Sequence, residues 1–339
     1  MLLNPAIMAL VLVSAVVVLM VSVASGFAIQ VVRGWDIHSG SERQLAMERR
    51  TYLISTLLAW VFASELVSLL LFVYNAEAMS GQFVGAMCAT GVLNVNEWGW
   101  PTLFLKMAVF FTGAAWLALN RLDNQGYDYP LVRLKYRLLL LVAPLVVAEF
   151  VVQLCYFLEM DPDVITSCCG ALFSAAAEGV AAEVSGLDPG VAMLAFYGTG
   201  AAVLASGLWC TLKSGGGRGG GPLFALTAVL AFAAALAAIV SYVALYIYEH
   251  PHHHCPFCIL EEGHGYVGYL LYVPLFAATA LAFGAGATSA WRGIPSLAAA
   301  VERDAPRLAG LATVLFAIFY LAATWLVVRS NLVMSGVWW

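Results

Sequence analysis

Residues 6–32 read AIMALVLVSAVVVLMVSVASGFAIQVV, a run without one charged side chain. A helix rises 1.5 Å per residue, so about twenty apolar residues cross a hydrocarbon layer roughly 30 Å thick. This run is long enough to do so, and it sets the reading of the rest. Seven further runs of the same kind follow, at about 52–74, 101–120, 138–159, 190–212, 222–248, 266–289 and 308–328. The expected fold is therefore all-α: a polytopic membrane bundle of about eight transmembrane helices.

Composition agrees. Of 339 residues, 63% are apolar and only 10% charged, with a mean hydropathy of +0.89. A soluble domain carries about a quarter of its residues as charges. The loops leave no room for a soluble domain. Met1-Leu2-Leu3-Asn4-Pro5 lacks the basic start of a signal peptide, so the first run reads as a retained helix. Gly215–Gly221 lacks the Gly-Lys-Ser/Thr ending of a phosphate-binding loop. Neither a nucleotide nor a nucleic-acid partner is expected; the expected surroundings are membrane lipid.

Lysine and arginine give an orientation. Arg33, Arg43, Arg49, Arg50, Arg121, Arg133, Lys135, Arg137, Lys213, Arg218, Arg292, Arg303 and Arg307 fall between alternate spans, on one face; only Lys106 and Arg329 do not. By the positive-inside rule that face is cytoplasmic, and both termini lie outside. The opposite face is acidic, with Glu77, Glu97, Glu159, Asp161, Asp163, Glu178, Glu183, Asp188, Glu249, Glu261 and Glu262. Such a charge run ordinarily marks a solvated surface.

The domain organisation expected is one integral membrane domain. Residues 1–213 carry spans one to five, the first half ending near 160, and 222–339 carry spans six to eight. The glycine-rich stretch 214–221 reads as a flexible cytoplasmic joint. Two related four-helix halves are one reading of the pattern. Cys88-Ala89-Thr90-Gly91-Val92-Leu93 follows the second span, and Cys255-Pro256-Phe257-Cys258-Ile259-Leu260 follows the sixth. An even number of spans per copy would relate the halves by an axis along the membrane normal.

Five of the seven cysteines, Cys88, Cys168, Cys169, Cys255 and Cys258, fall in outer loops, the side where disulfides persist. Disulfide staples are the plain explanation. Adjacent Cys168-Cys169 would make a strained bridge, however, and Cys255–Cys258 closes too small a loop to constrain the unfolded chain much. Such pairs suit redox cycling or a soft metal better. A turn opening a helix at Cys255 would lower that thiol's pKa. Cys255-Pro256-Phe257-Cys258 resembles the Cys-X-X-Cys of membrane disulfide-generating enzymes, which pass electrons from thiols to quinone within a four-helix core. The resemblance covers this tetrapeptide and its place in the chain. It implies a thiol–disulfide/quinone oxidoreductase, with quinone as cofactor and a periplasmic redox protein as partner.

Another set of ligands overlaps the first. His252, His253 and His254 with Cys255 and Cys258 suit Zn²⁺ or Cu⁺. A c-type haem is not expected at this motif, since Ile259 stands where attachment needs histidine.

Glu65, Lys106 and Glu149 interrupt the spans, at depths of roughly 14, 7 and 15 Å from the outer helix ends. Charges in hydrocarbon mark an ion pair or a pathway. Three functions remain open. The first is a redox enzyme of an inner membrane, with Cys255 and Cys258 reacting, Cys168, Cys169 and Cys88 relaying, and Glu65 and Glu149 moving protons. The second is a soft-metal (Cu, Hg, Zn) binder or transporter. The third is a non-catalytic anchor subunit of an electron-transfer complex.

Overall fold

The computed structural model describes residues 4–161, 163–166, 187–213 and 217–334. Among them there is no strand, and eight helical stretches are long and apolar enough to cross a membrane. This is an all-α membrane protein. The first stretch, α1, is Pro5–Gly34; Asn4 caps it by accepting from the Ala6 amide at 3.0 Å, with Pro5 at the first helical position. Then come α2 (Glu42–Ala78), the one-turn α3 (Ala89–Leu93), α4 (Gly99–Asp123) and α5 (Val132–Leu158). The later helices are α6 (Pro189–Leu212), α7 (Gly217–Ala238), α8 (Ala244–Tyr248), α9 (Val267–Ser289) and α10 (Ala298–Val328). A π-helical turn, Ile239–Val243, joins α7 to α8 into one span. Asp188 and Pro189 open α6 in the manner of Asn4 and Pro5.

Helices outrun the apolar segments on the arginine-bearing side. α2 begins ten residues before the apolar run at 52, and α10 ten before the run at 308. Backbone hydrogen bonding continues in water, whereas hydropathy marks only the lipid layer. For the same reason Gly217–Gly221 is the first part of α7 rather than a flexible joint, which corrects the reading of 214–221; residues 214–216 lie outside the described set. Glycine is a poor helix former, about 0.8–1 kcal/mol worse than alanine, so packing holds this end. A Cβ on Gly286 of α9 would lie 2.8 Å from Ala225 Cβ and 3.1 Å from the Gly221 carbonyl oxygen, so the two backbones meet closely there.

The chain divides into two compact units. The first holds 1–75, 96–161 and 287–304, that is α1, most of α2, α4, α5 and the segment between α9 and α10 with the adjoining helix ends. Its core includes Val21, Phe27, Phe62, Trp116, Tyr136 and Val146. Phe62 and Trp116 rings sit 5.0 Å apart, and Phe27 meets Tyr136 edge-on at 5.7 Å. Below them, Lys135 is buried and paired with Asp123 at 2.7 Å, although the sequence places it in a loop between spans. The α5 helix begins six residues before the apolar run, which carries Lys135 inside.

The second unit holds 76–95, 162–286 and 305–339. Phe196 of α6 anchors it, against Tyr242, Phe319 and Tyr320 with centroid distances of 6.0, 5.8 and 4.6 Å. The segment 76–95, between the second and third spans, belongs to this unit. That assignment brings Cys88 to Cys255.

Candidate functional site

Cys88 stands in extended conformation just before α3, whose five residues are all buried. A turn this short cannot satisfy its own first amides. Glu77, in the last turn of α2, accepts from the Ala89 amide at 2.8 Å and supplies the missing cap. The Thr166 hydroxyl donates to the Gly91 carbonyl at 2.8 Å, and its amide to the Val84 carbonyl at 3.0 Å. Gly85 makes that contact feasible: its φ is +88°, and a Cβ there would fall 2.1 Å from the Thr166 carbonyl oxygen.

Two tyrosines hold the Cys255–Cys258 loop by its backbone. The Tyr248 hydroxyl donates to the Cys255 carbonyl at 2.6 Å, and the Tyr272 hydroxyl to the Pro256 carbonyl at 2.7 Å. Cys258–Leu260 form a single 3-10 turn. The helix expected to open at Cys255 is therefore absent.

The result is a buried cluster of three thiols from two remote segments. The sulfurs of Cys88, Cys255 and Cys258 all lie within 4.8 Å of one another. Cys88 Sγ and Cys255 Sγ are 3.3 Å apart, roughly 1.3 Å of closure from a disulfide. The Thr90 hydroxyl lies 3.1 Å from Cys255 Sγ. Glu77 is within electrostatic range of both Cys255 and Glu261.

The histidines stand apart from the thiols. Among the described residues, the grouping of ligand atoms contains the three cysteines and no histidine. His253 stacks on Tyr248 at 4.1 Å, with His264 edge-on to the same ring at 4.6 Å. His254 Nδ1 faces the Val240 carbonyl at 2.9 Å. That carbonyl belongs to the π-helical turn, so His254 ties the loop to the span at its bulge. His252 is exposed, its ring 6.1 Å from that of His250. Cys168, Cys169, Glu178 and Glu183 lie outside the described residues.

Burial holds the His254 and His264 pKa values below the usual histidine range; for His254 the neighbouring charges of His252 and His253 act in the same direction. A lowered pKa in the fold means that the unfolded chain takes up protons first. Full stability is present above about pH 6.5 and is lost as pH falls through the lowered values. Melting temperature is therefore expected to drop between pH 7 and 5, with a flatter profile in His254→Gln.

Glu65, Lys106 and Glu149 do come together, within the first unit. Lys106 Nζ is 2.6 Å from Glu149 Oε1 and donates to the Ser68 hydroxyl at 2.9 Å. The sequence reading did not single out Thr90, Glu77, Glu261, Tyr248 or Tyr272. Thr90 alone left a signal, since it lies inside the matched Cys88 hexapeptide; tyrosines and acids outside the apolar runs are too common to stand out.

Comparison with known proteins adds no identity: no family model, curated protein or solved structure matches the chain. The class defined by fold and site is a polytopic helical membrane protein with a buried three-cysteine cluster.

Proposed function

We propose that the protein is a membrane thiol–disulfide oxidoreductase that delivers electrons from outer-face thiols to quinone. The 3.3 Å contact between Cys88 and Cys255 carries this reading, because it places a third thiol in exchange range of a Cys-X-X-Cys pair. In the oxidised protein Cys255 and Cys258 share a disulfide. A dithiol attacks it, forms a mixed disulfide, and leaves as a disulfide when its second thiol closes; Cys255 and Cys258 are left as two thiols. A quinone then takes two electrons and two protons from these thiols, giving quinol and the original disulfide. Cys88 exchanges within this cycle: its thiolate attacks Cys255 and frees Cys258, with no net change in oxidation state. A thiol attacks as its thiolate, so a base is needed, and Glu77 is a carboxylate beside Cys255. Because the three thiols are buried, the dithiol that attacks the Cys255–Cys258 disulfide is taken to be the reduced Cys168/Cys169 pair, which relays two electrons from an external dithiol and is itself left as a disulfide for that dithiol to reduce.

A second reading rests on the same cluster. Three converging sulfurs suit a soft cation such as Cu⁺, held by thiolates. One pair of variants separates the two. Under the redox reading, Cys258→Ser accumulates a Cys88–Cys255 disulfide or a mixed disulfide, seen by non-reducing mass spectrometry, while His252→Ala/His253→Ala keeps near-normal turnover. Stoichiometric copper in the purified protein, lost with Cys258→Ser and without any trapped disulfide, would sink the redox reading.

The orientation follows from the arginines: the thiols face the outside of a bacterial-type inner membrane. Reporter fusions after Arg50, Arg137, Arg218 and Arg303 are expected to read cytoplasm, and fusions near Cys88 and Cys258 the opposite side. One inverted site would break the assignment at that span.

A further inference from the structure

A second polar site lies in the first unit, and it does not rest on the thiol reading. Six side chains from four helices form it: Ser14 of α1, Glu65 and Ser68 of α2, Lys106 of α4, and Glu149 and Gln153 of α5. None is more than 4% exposed. Lys106 pairs with Glu149 Oε1 and bonds Ser68, and the Gln153 amide donates to the Ser14 hydroxyl at 3.1 Å. The opposite tally is unbalanced. Glu65 Oε1, Glu149 Oε2 and Gln153 Oε1 are buried acceptors without a hydrogen-bond donor.

Charge is unbalanced in the same direction. Glu65 feels both Lys106 and Glu149, so two carboxylates face one ammonium. With both acids ionised, a net negative charge would sit in hydrocarbon, where an unpaired charge costs several kcal/mol. α1 brings no titratable group over its membrane stretch, since Arg33 at its end is the only one it has. The groups facing Glu65 are therefore Lys106 from α4 and Glu149 from α5.

We infer that this site binds one proton, carried by Glu65 and shared toward the neighbouring orphan acceptors. A proton cancels the surplus charge and adds one donor to a site with three acceptors that lack one. Glu149, 2.6 Å from Lys106, remains the ionised partner. A lone structural ion pair would leave Glu65 unexplained. The Lys106–Glu149 pair is one half of the arrangement, and the protonated acid is the other.

Infrared spectroscopy of the full chain in lipid tests this, because a protonated carboxylic acid has a carbonyl stretch that a carboxylate lacks. At pH 7 the native protein is expected to show one such band, shifted in D₂O and lost on alkalinisation. Glu65→Gln is expected to remove the band with no change in melting temperature, since a neutral group replaces a neutral group. In Glu149→Gln, Glu65 takes over as counter-ion of Lys106, and the band is lost from a protein that still folds. Absence of the band at pH 7, its survival in Glu65→Gln, or loss of stability in Glu65→Gln would overturn the inference. So would a melting temperature raised by Na⁺ relative to choline in the native protein only, which would make the occupant a metal cation.

Discussion

Cys255→Ser is expected to bring thiol-dependent quinone reduction down to background, a fall on the order of 10³-fold or more, as for other essential nucleophiles. Cys255 is the sulfur common to both exchanges, in contact with Cys88 and three residues from Cys258. Without it neither disulfide of the relay can form. The fold should survive, because the bond that holds Cys255 in place is from Tyr248 to its carbonyl, which serine keeps. Cys88→Ser should act more mildly, since Cys255 and Cys258 still make a reducible pair. Thr90→Val removes one hydroxyl contact to sulfur. A net hydrogen bond is worth about 1 kcal/mol, so a loss of about fivefold is expected there. Quinol formation with a small dithiol donor, measured beside the melting temperature of each variant, gives the ranking. Equal activity in Cys255→Ser and native protein would remove the redox proposal.

The largest stability effect is expected at the other end of the first unit. Asp123 and Lys135 are both fully buried and 2.7 Å apart, and Lys135 also reaches Asn120 at 3.1 Å. Asp123 does more than neutralise lysine: its Oδ1 accepts from the Leu131 amide at 2.8 Å and fastens the turn between α4 and α5. Trp116 adds a bond from its indole to the Lys135 carbonyl at 3.0 Å. Asp123→Ala leaves a buried ammonium without its partner, at a cost of about 3–5 kcal/mol. Replacing both members, Asp123→Leu with Lys135→Met, should recover part of this loss by removing the stranded charge. Recovery stays incomplete because the Leu131 amide still lacks an acceptor, which costs about 1–3 kcal/mol. Thermal unfolding in mild detergent measures both. A single variant as stable as the native chain would show that the pair carries little.

The eight spans were legible because a helix satisfies its own backbone and the bilayer demands that it do so. Span ends were less so. Lys135 reads as a loop charge until the helix is seen to start at Val132, and Gly217–Gly221 reads as a joint until Gly221 is seen packed at Gly286. The histidine run attracted a metal by composition alone. Its conformation turns His253 onto Tyr248 and His254 onto Val240, which no count of ligand types foretells.

Periodicity, length and charge are local quantities, so the sequence by itself determined the all-helical membrane architecture, the approximate spans and the presence of thiols in the loops between them. It also placed three charges in the membrane, since each depth needs only a count along one helix. Which groups touch is a different kind of fact. Cys88 and Cys255 stand 167 positions apart, and only the packing of segment 76–95 into the second unit brings their sulfurs together. The surplus carboxylate beside Lys106 also depends on the packing of α2, α4 and α5. Side-chain contact is set by how helices assemble, and a single helix does not specify its neighbours.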